Sequence, residues 1–432
     1  MRQLPSSVLS WGLLLHLRYI AVLKPNIRFS KFDGDFKKIK LGKLASKVGS
    51  GSTPKGGSST YVSIGIPLIR SQNVKDGYLD ETDFVKIDLN THSKMKSSHV
   101  YPNDVLLNIT GASIGRSCVV PKHFIEGNVN QHVCIIRPKN KELVSTYLNY
   151  YLSSKYGQKQ INISQAGGGR EGLNFEAIRG FNIPITSDTE QQKIADFLTA
   201  VDTKINQLTE KHRLLKEYKK GVMQQIFSQQ LRFKDKDGKA FPEWEEKHFG
   251  EVFGRVTQKN SVNNLNVLTI SAQKGLISQL EYFNKSVSAK DVSGYYLLRK
   301  GDFAYNKSYS QGYPMGAIKP LKFYDSGVVS TLYICFRPKK GFEEAYFEQF
   351  FDAGMLNREI AKIAQEGARN HGLLNVSVKE FFDDIKLLVP HQNEQQKIAQ
   401  FLQALDSKIT AVSEQIEQTK QFKKGLLQQM FV

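Results

Sequence analysis

Hydrophobic positions along this chain fall into two regimes. The stretches "EQQKIADFLTAVDTKI" (190–205) and "EQQKIAQFLQALDSKI" (394–409) are identical at 12 of 16 positions with an offset of 204. In both, apolar residues recur at alternating spacings of four and three. The first series runs Ile194, Leu198, Val201, Ile205, Leu208, Leu215, Val222 and Ile226, and the second Ile398, Leu402, Leu405, Ile409, Val412, Ile416, Leu426 and Met430. This is a heptad seam, interrupted at His212 and at Lys219 and Lys423. Thr189 and Asn393, with Gln192 and Gln396 three residues on, fit a capping box, and Pro184 and Pro390 stand upstream where they break nothing. The pattern predicts two helices of about 40 residues, each roughly 60 Å long. Such a helix cannot bury its stripe alone. The pair is therefore expected to pack antiparallel, with Ile194, Phe197, Leu198, Val201, Ile205, Leu208, Ile398, Phe401, Leu402, Leu405, Ile409 and Val412 at the helix–helix and subunit interface.

Elsewhere the periods are shorter. Residues 104–110, 132–138, 266–272 and 328–338 are β-branched, partly alternating runs bounded by Gly, Pro and Asn, which read as strands. Residues 142–157 place Leu143, Tyr147, Leu148, Tyr151 and Leu152 on one helical stripe, with 346–364 as the counterpart. Matched blocks recur here too: "FKKIKLGKLA" with "WEEKHFGEVF" (offset 208), "NDVLLN" with "GDFAYN" (198), and "IRPK" with "FRPK" (200). Between these blocks the offset drifts and the residues diverge, whereas along the helical segments it stays at 204. Each half is thus a variable module plus a constant segment. The expected fold class is α+β: two repeated modules, 31–186 and 233–389, alternating with a central helix at 187–232 and a C-terminal helix at 390–432, in a pseudo-twofold, coiled-coil-like arrangement. Residues 1–30 read as an N-terminal extension. Its apolar run is interrupted by His16 and Arg18 and is too short to span a bilayer.

Charge narrows the function. Across 432 residues, 60 Lys and Arg stand against 41 Asp and Glu, for a net charge of +19. Such a surface attracts polyanions, nucleic acid foremost. The three cysteines, Cys118, Cys134 and Cys335, show no metal-ligand spacing, and their odd number favours a reducing compartment, hence the cytoplasm. Catalytic patterns are missing. No Pro-Pro pair exists to build an amino-methyltransferase motif, the acids are not clustered as a metal-dependent nuclease requires, and "GGGREG" (167–172) lacks the phosphate-loop spacings. Asp202 reads as a solvated charge on the long helix.

With both modules and both helices in view, the chain resembles the specificity subunit of type I restriction-modification systems. The resemblance rests on "NIPITSDTEQQKIADFL" and "KLLVPHQNEQQKIAQFL", which introduce the helices. "GSGSTPKGGSSTYVSIGIPLIRSQNV" (49–74), "LLNITGASIGRSCVV" (106–120), "GGGREGLNFEAI" (167–178) and "EGARNHGLLNVSV" (366–378) add to it. It extends from about residue 25 to the end; the first 24 residues fit no part of the pattern, and the second module lacks the Gly-Ser-Thr-Pro signature. The resemblance implies that each module is a target recognition domain for one half of a bipartite asymmetric site on double-stranded DNA. The helices would set the half-site spacing and dock two modification (methyltransferase) subunits, which restriction (translocase/nuclease) subunits join. AdoMet, ATP and Mg²⁺ would serve those partners, with no cofactor or metal on this chain and no membrane association.

Candidate DNA contacts follow from chemistry, since Arg, Lys, Asn, Gln and Ser read base edges or grip phosphates. In the first module they are Lys55, Arg70, Ser71, Gln72, Asn73, Lys75, Asn108, Thr110, Ser113, Arg116, Asn130, Gln131, His132 and Arg170. In the second they are Ser271, Gln273, Lys274, Asn306, Lys307, Ser308, Ser310, Gln311, Ser330, Thr331, Arg369, Asn370 and His371. Two competing functions remain open from residues alone: an enzyme acting on nucleic acid by itself, and a coiled-coil DNA-binding adaptor without strict sequence preference.

Overall fold

A computed structural model describes residues 24–165, 172–271, 274–284, 291–310, 312–365 and 374–432. The chain divides into two compact units, one made of residues 1–207 with 415–432, the other of residues 208–414. Of the expected extension, residues 1–30, the first 23 lie outside the described residues, as does the glycine-rich stretch 167–171.

In the first unit a four-stranded antiparallel sheet runs in the order Ala45–Ser50, Val133–Pro138, Val105–Asn108, Ser117–Val119. The β-branched runs read from the sequence supply its two central strands. A second sheet orders Val85–Ile87, Ile66–Ile69, Gly127–Val129 and His99–Val100, with one parallel pair, Ile66–Ile69 beside Gly127–Val129. The second unit repeats the first sheet as Phe253–Arg255, Ile334–Pro338, Phe303–Asn306, Ala317–Pro320. Its other strands form separate pairs: Leu268–Ser271 with Gly275–Ser278, Tyr296–Arg299 with Ser326–Val329, Glu245–His248 with Lys386–Val389, and Ala364–Gln365 with Asn375–Val376. Two expected elements are each split. Residues 328–338 contain the ends of two strands separated by a turn at Ser330–Tyr333. The expected helices at 142–157 and 346–364 are each two helices, Ser145–Ser153 then Lys155–Ser164, and Glu344–Asp352 then Asn357–Ile363. Ser154 causes the first break, its hydroxyl capping the next helix through the Gly157 N–H.

The matched blocks "NDVLLN" and "IRPK" turn out to face each other. Arg137 grips the buried Asp104 through two hydrogen bonds of 2.7 Å, and Arg337 grips the buried Asp302 in the same way. A planar guanidinium matches a carboxylate in this bidentate fashion, and the hydrogen bond raises each arginine above its ordinary pKa.

The long helices are Asp188–Phe227 and Gln392–Gln429. Their starts differ from the expected capping box. Thr189 and Asn393 lie inside the helices, and the hydroxyl of Ser187 accepts the Glu190 N–H at 3.3 Å instead. Gln192 bonds Asp196, and Gln396 bonds Glu343. The periodicity located the helix but not its first turn, which the tertiary partners of Glu190 and Gln191 decide.

Each unit buries a segment of both helices. In the first, Ile194, Leu198 and Val201 share a core with Leu426, Met430 and Phe431, together with Tyr147, Leu148 and Ile183 of the module. In the second, Ile398, Leu402 and Leu405 share a core with Val222, Ile226 and Phe227 and the aromatic cluster around Phe249, Phe253, Phe303 and Phe336. Within each unit the two helical segments run antiparallel, because an ion pair continues the contact one turn on. Lys423 meets Asp202 at 2.6 Å in the first unit, and Lys219 meets Asp406 at 2.6 Å in the second. The lysines that interrupt the heptad seam are therefore partners of the acids. Asp202 is not a freely solvated charge, for it also accepts a hydrogen bond from the Tyr150 hydroxyl at 2.8 Å.

Candidate nucleic-acid interface

Each module raises three loops where strands end, and these loops carry most of the sequence-derived candidates. In the first module they follow Ile66–Ile69, Val105–Asn108 and Gly127–Val129. Backbone and side-chain bonds tie them together. Asn108 Nδ2 donates to the Ser71 carbonyl at 2.9 Å, Asn130 N–H donates to the Ile69 carbonyl at 3.0 Å, and Thr110 Oγ1 meets His132 Nδ1 at 2.6 Å. The result is an open depression of about 480 Å³ lined by Ser71, Gln72, Lys75, Thr110, Ser113, Arg116 and His132. Seven of the fourteen candidates named in this module meet there.

Their roles separate by burial. Asn73, Asn108 and Asn130 are buried and shape the loops from within: Asn73 holds the Arg70 N–H and the carbonyls of Asp80 and Asp83, and Asn130 accepts from the His132 N–H. Asn108 leaves its Oδ1 without a hydrogen-bond partner. Arg70 and Gln72 both bond Asp83, and Lys75 pairs with Asp80 at 3.6 Å. Arg116 is exposed and has no side-chain partner among the described residues, which leaves its guanidinium fork open to an anion or a base edge. Lys55 is exposed on a neighbouring loop that Thr53 fastens to Gln131. That loop approaches closely because Gly51 has no side chain: a Cβ there would stand 1.8 Å from the Val129 carbonyl oxygen.

The second module places its candidates at the corresponding strand ends. Ser271 is buried and its hydroxyl accepts the exposed Lys274 N–H at 3.2 Å. Asn306 Oδ1 accepts the Ser308 N–H at 3.1 Å, and the half-buried Lys307 holds the Leu374 N–H through its carbonyl. Ser310 bridges to Tyr313, Ser330 is half-buried, and Thr331 is exposed. Arg170, Gln273, Gln311, Arg369, Asn370 and His371 lie outside the described residues.

The helix-facing residues divide as well. Ile194, Leu198, Val201, Leu208, Ile398, Leu402, Leu405 and Val412 are buried, while Ile205 and Ile409 are half-buried. Phe197 and Phe401 instead receive the ring edges of Phe29 and Phe233, both at 5.7 Å. These contacts mark a further repeat, not evident from the hydrophobic pattern. Ile27-Arg28-Phe29 and Leu231-Arg232-Phe233 are offset by 204, and each arginine forks onto the buried glutamate of its "EQQ" segment. Arg28 meets Glu190 at 2.7 and 2.8 Å, and Arg232 meets Glu394 at 2.8 and 3.0 Å. The hydrogen bond raises both guanidinium groups above their ordinary pKa. The next residue, Gln191 or Gln395, is also buried and accepts the N–H of the residue leading a module helix, Val144 at 3.0 Å or Glu343 at 2.9 Å. The shared "RF" dipeptide was a usable signal, but only across the large offset.

Among the described residues no helix is long and apolar enough to cross a membrane. Residues 33–216 and 242–421 match the family described as type I restriction modification DNA specificity domain. Over 130 residues, 30% of this chain and 27% of the relative, the sequence is 34% identical to the type I restriction enzyme EcoBI specificity subunit of Escherichia coli. Over 382 residues, 84% of each protein, it is 23% identical to the type I restriction enzyme MjaVIII specificity subunit of Methanocaldococcus jannaschii. The chain thus spans about a quarter of the first relative and most of the second. The fold is shared with the crystal structure of a type I restriction-modification system S subunit from M. genitalium, at a TM-score of 0.55 and 15% identity, covering 95% of this chain and 99% of that one.

Proposed function

The chain belongs to the type I restriction-modification DNA specificity family, and on that premise we propose how its parts divide the work. The modules at 31–186 and 233–389 each read one half of a bipartite, asymmetric target on double-stranded DNA through their strand-end loops. The helices at 187–232 and 390–432 set the spacing between the halves and dock two modification subunits, with restriction subunits joining them. The chain performs no catalysis of its own; AdoMet, ATP and Mg²⁺ serve its partners, in the cytoplasm.

One observation carries this reading. The residues common to both halves build the scaffold, tying strands together in Arg137–Asp104 and Arg337–Asp302 and anchoring the helices in Arg28–Glu190 and Arg232–Glu394, while the loops at the strand ends differ in both residues and bonding. A device that must bind one kind of partner twice and two different base sequences once each requires that division. Polar groups on the loops suit base edges and phosphates.

The test is to map methylated bases in DNA from cells expressing the chain with its modification subunits. The expected outcome is one bipartite motif with adenine methylation in both halves. Replacing residues 233–389 with another module should change one half only, and a change in both halves would sink the two-module reading. Altering the length of the 190–230 helix should alter the gap and leave the bases unchanged.

A further inference from the structure

The second module carries an apolar residue among the polar groups of its reading loops. Leu332 is 67% exposed at the turn between Val329 and Ile334. Its N–H is held by the Ser330 hydroxyl at 3.3 Å, and the Tyr333 N–H donates to the Ser330 carbonyl at 3.1 Å, so the turn is built rather than slack. Strand register brings this turn beside the Asn306–Ser310 loop, since Tyr305 pairs with Ile334. Its flanks are Ser330, Thr331, Asn306, Lys307 and Ser308, all able to hydrogen-bond.

At the equivalent place the first module has His132, 200 residues earlier as judged by the paired "IRPK" and "FRPK" blocks. That imidazole is bonded to Thr110 and Gln131. Leucine offers no such bond and cannot hold a phosphate. Isolated exposed leucines are ordinary on protein surfaces; this one differs by its position on a hydrogen-bonded turn within the loop cluster. The apolar group that a base pair presents in the major groove is the thymine C5-methyl. We infer that Leu332 is a specificity-determining residue that packs on a thymine methyl in the half-site read by the second module. This rests on the assignment of that module as a reader of DNA.

The experiment uses the chain assembled with its modification subunits and duplexes bearing its mapped target. Each thymine of the second module's half-site is replaced in turn by deoxyuridine, which removes one methyl and leaves pairing intact. At one position, wild-type affinity should fall about fourfold, the equivalent of one apolar carbon no longer buried. With Leu332→Ala that position should become insensitive to the replacement, and with Leu332→Met the sensitivity should return. The inference is overturned if no position responds, if Leu332→Ala responds as the wild type does, or if the half-site contains no thymine on either strand. If the wild-type complex shows no preference for the intact half-site, the assignment of the module fails, and the inference with it. The exchange of one exposed side chain should leave recognition of the first half-site unchanged, which separates loss of reading from loss of fold.

Discussion

Glu190 and Glu394 sit at the same place in their two units and take the same arginine fork, yet the loops that the modules raise share almost nothing. In the first module a histidine, a threonine and an exposed arginine line an open depression whose loops are tied together by side-chain bonds. In the second, a leucine, serines and an asparagine stand at the same strand ends, and the side-chain bonds of Asn306 and Ser330 run within their own loops. The helix anchors bury a charged pair, and a buried pair tolerates no partial change, because a lone buried charge is far costlier than the pair. The loops carry no such penalty. At these anchors constraint follows burial, and the loops are free to vary where water, or DNA, can reach them.

The comparison breaks if equivalent anchors have unequal weight. The largest effect is expected from Phe431→Ala and Phe227→Ala, each losing about 3–5 kcal/mol of the stability of its own unit, as truncated core aromatics do. Thermal unfolding with probes in each module would measure both, and an effect of Phe431→Ala on the second unit alone would contradict the division of the cores. Next come Glu190→Ala and Glu394→Ala, each expected to cost about 2–4 kcal/mol by removing the buried carboxylate onto which an arginine forks; chemical denaturation would show a matched pair of shifts.

Lys319 tests a difference instead. It is buried in the second module against Asp352, and occupies the strand position of Cys118 in the first. Burial works against its charge, but Asp352 and the Tyr313 hydroxyl outweigh that and raise its pKa above the usual 10.5. A raised folded value means the contribution is complete below pH 10.5 and is lost as pH climbs through the folded value. Wild type should therefore lose stability relative to Lys319→Met only above about pH 10.5, as read by urea unfolding across that range. The exposed end of the scale is smaller still. Double-mutant cycles on Lys423–Asp202 and Lys219–Asp406 should each return about 0.5–1 kcal/mol, shrinking with salt. Exchanging His132 and Leu332 should move stability by less than about 0.5 kcal/mol while changing the methylated motif.

The helices, both modules and the central sheet strands were legible in the sequence, because a long period repeated at constant offset leaves few alternatives. What escaped were features decided by partners distant in sequence. The helix starts were misplaced by about two residues because Ser187, not Thr189, meets the Glu190 N–H. The run at 328–338 read as one strand because nothing in its β-branched residues announces that Ser330 turns the chain into a different sheet. Asp202 looked solvated until Lys423, more than two hundred residues on, was found against it. Among the candidate contacts, the loops as groups were found together, but sequence could not separate Asn73 and Asn108, which are buried supports, from Gln72 and Arg116, which are not.

Leu426, Met430 and Phe431 complete the core around Tyr147, Ile194 and Leu198, and the Ile27 N–H donates to the Gln429 carbonyl at 3.1 Å. During synthesis, the first unit must therefore wait for the last stretch of chain to emerge. At roughly 5–20 residues per second, the interval between residues 207 and 432 lasts on the order of ten to forty-five seconds. Throughout it, the part of the first core that Leu426, Met430 and Phe431 cover stands open to the same segment of another nascent chain. The second unit also waits, but its closing residues Ile398, Leu402 and Leu405 are made before Leu426, Met430 and Phe431, so the earlier-made half of this protein is the later one to complete its core.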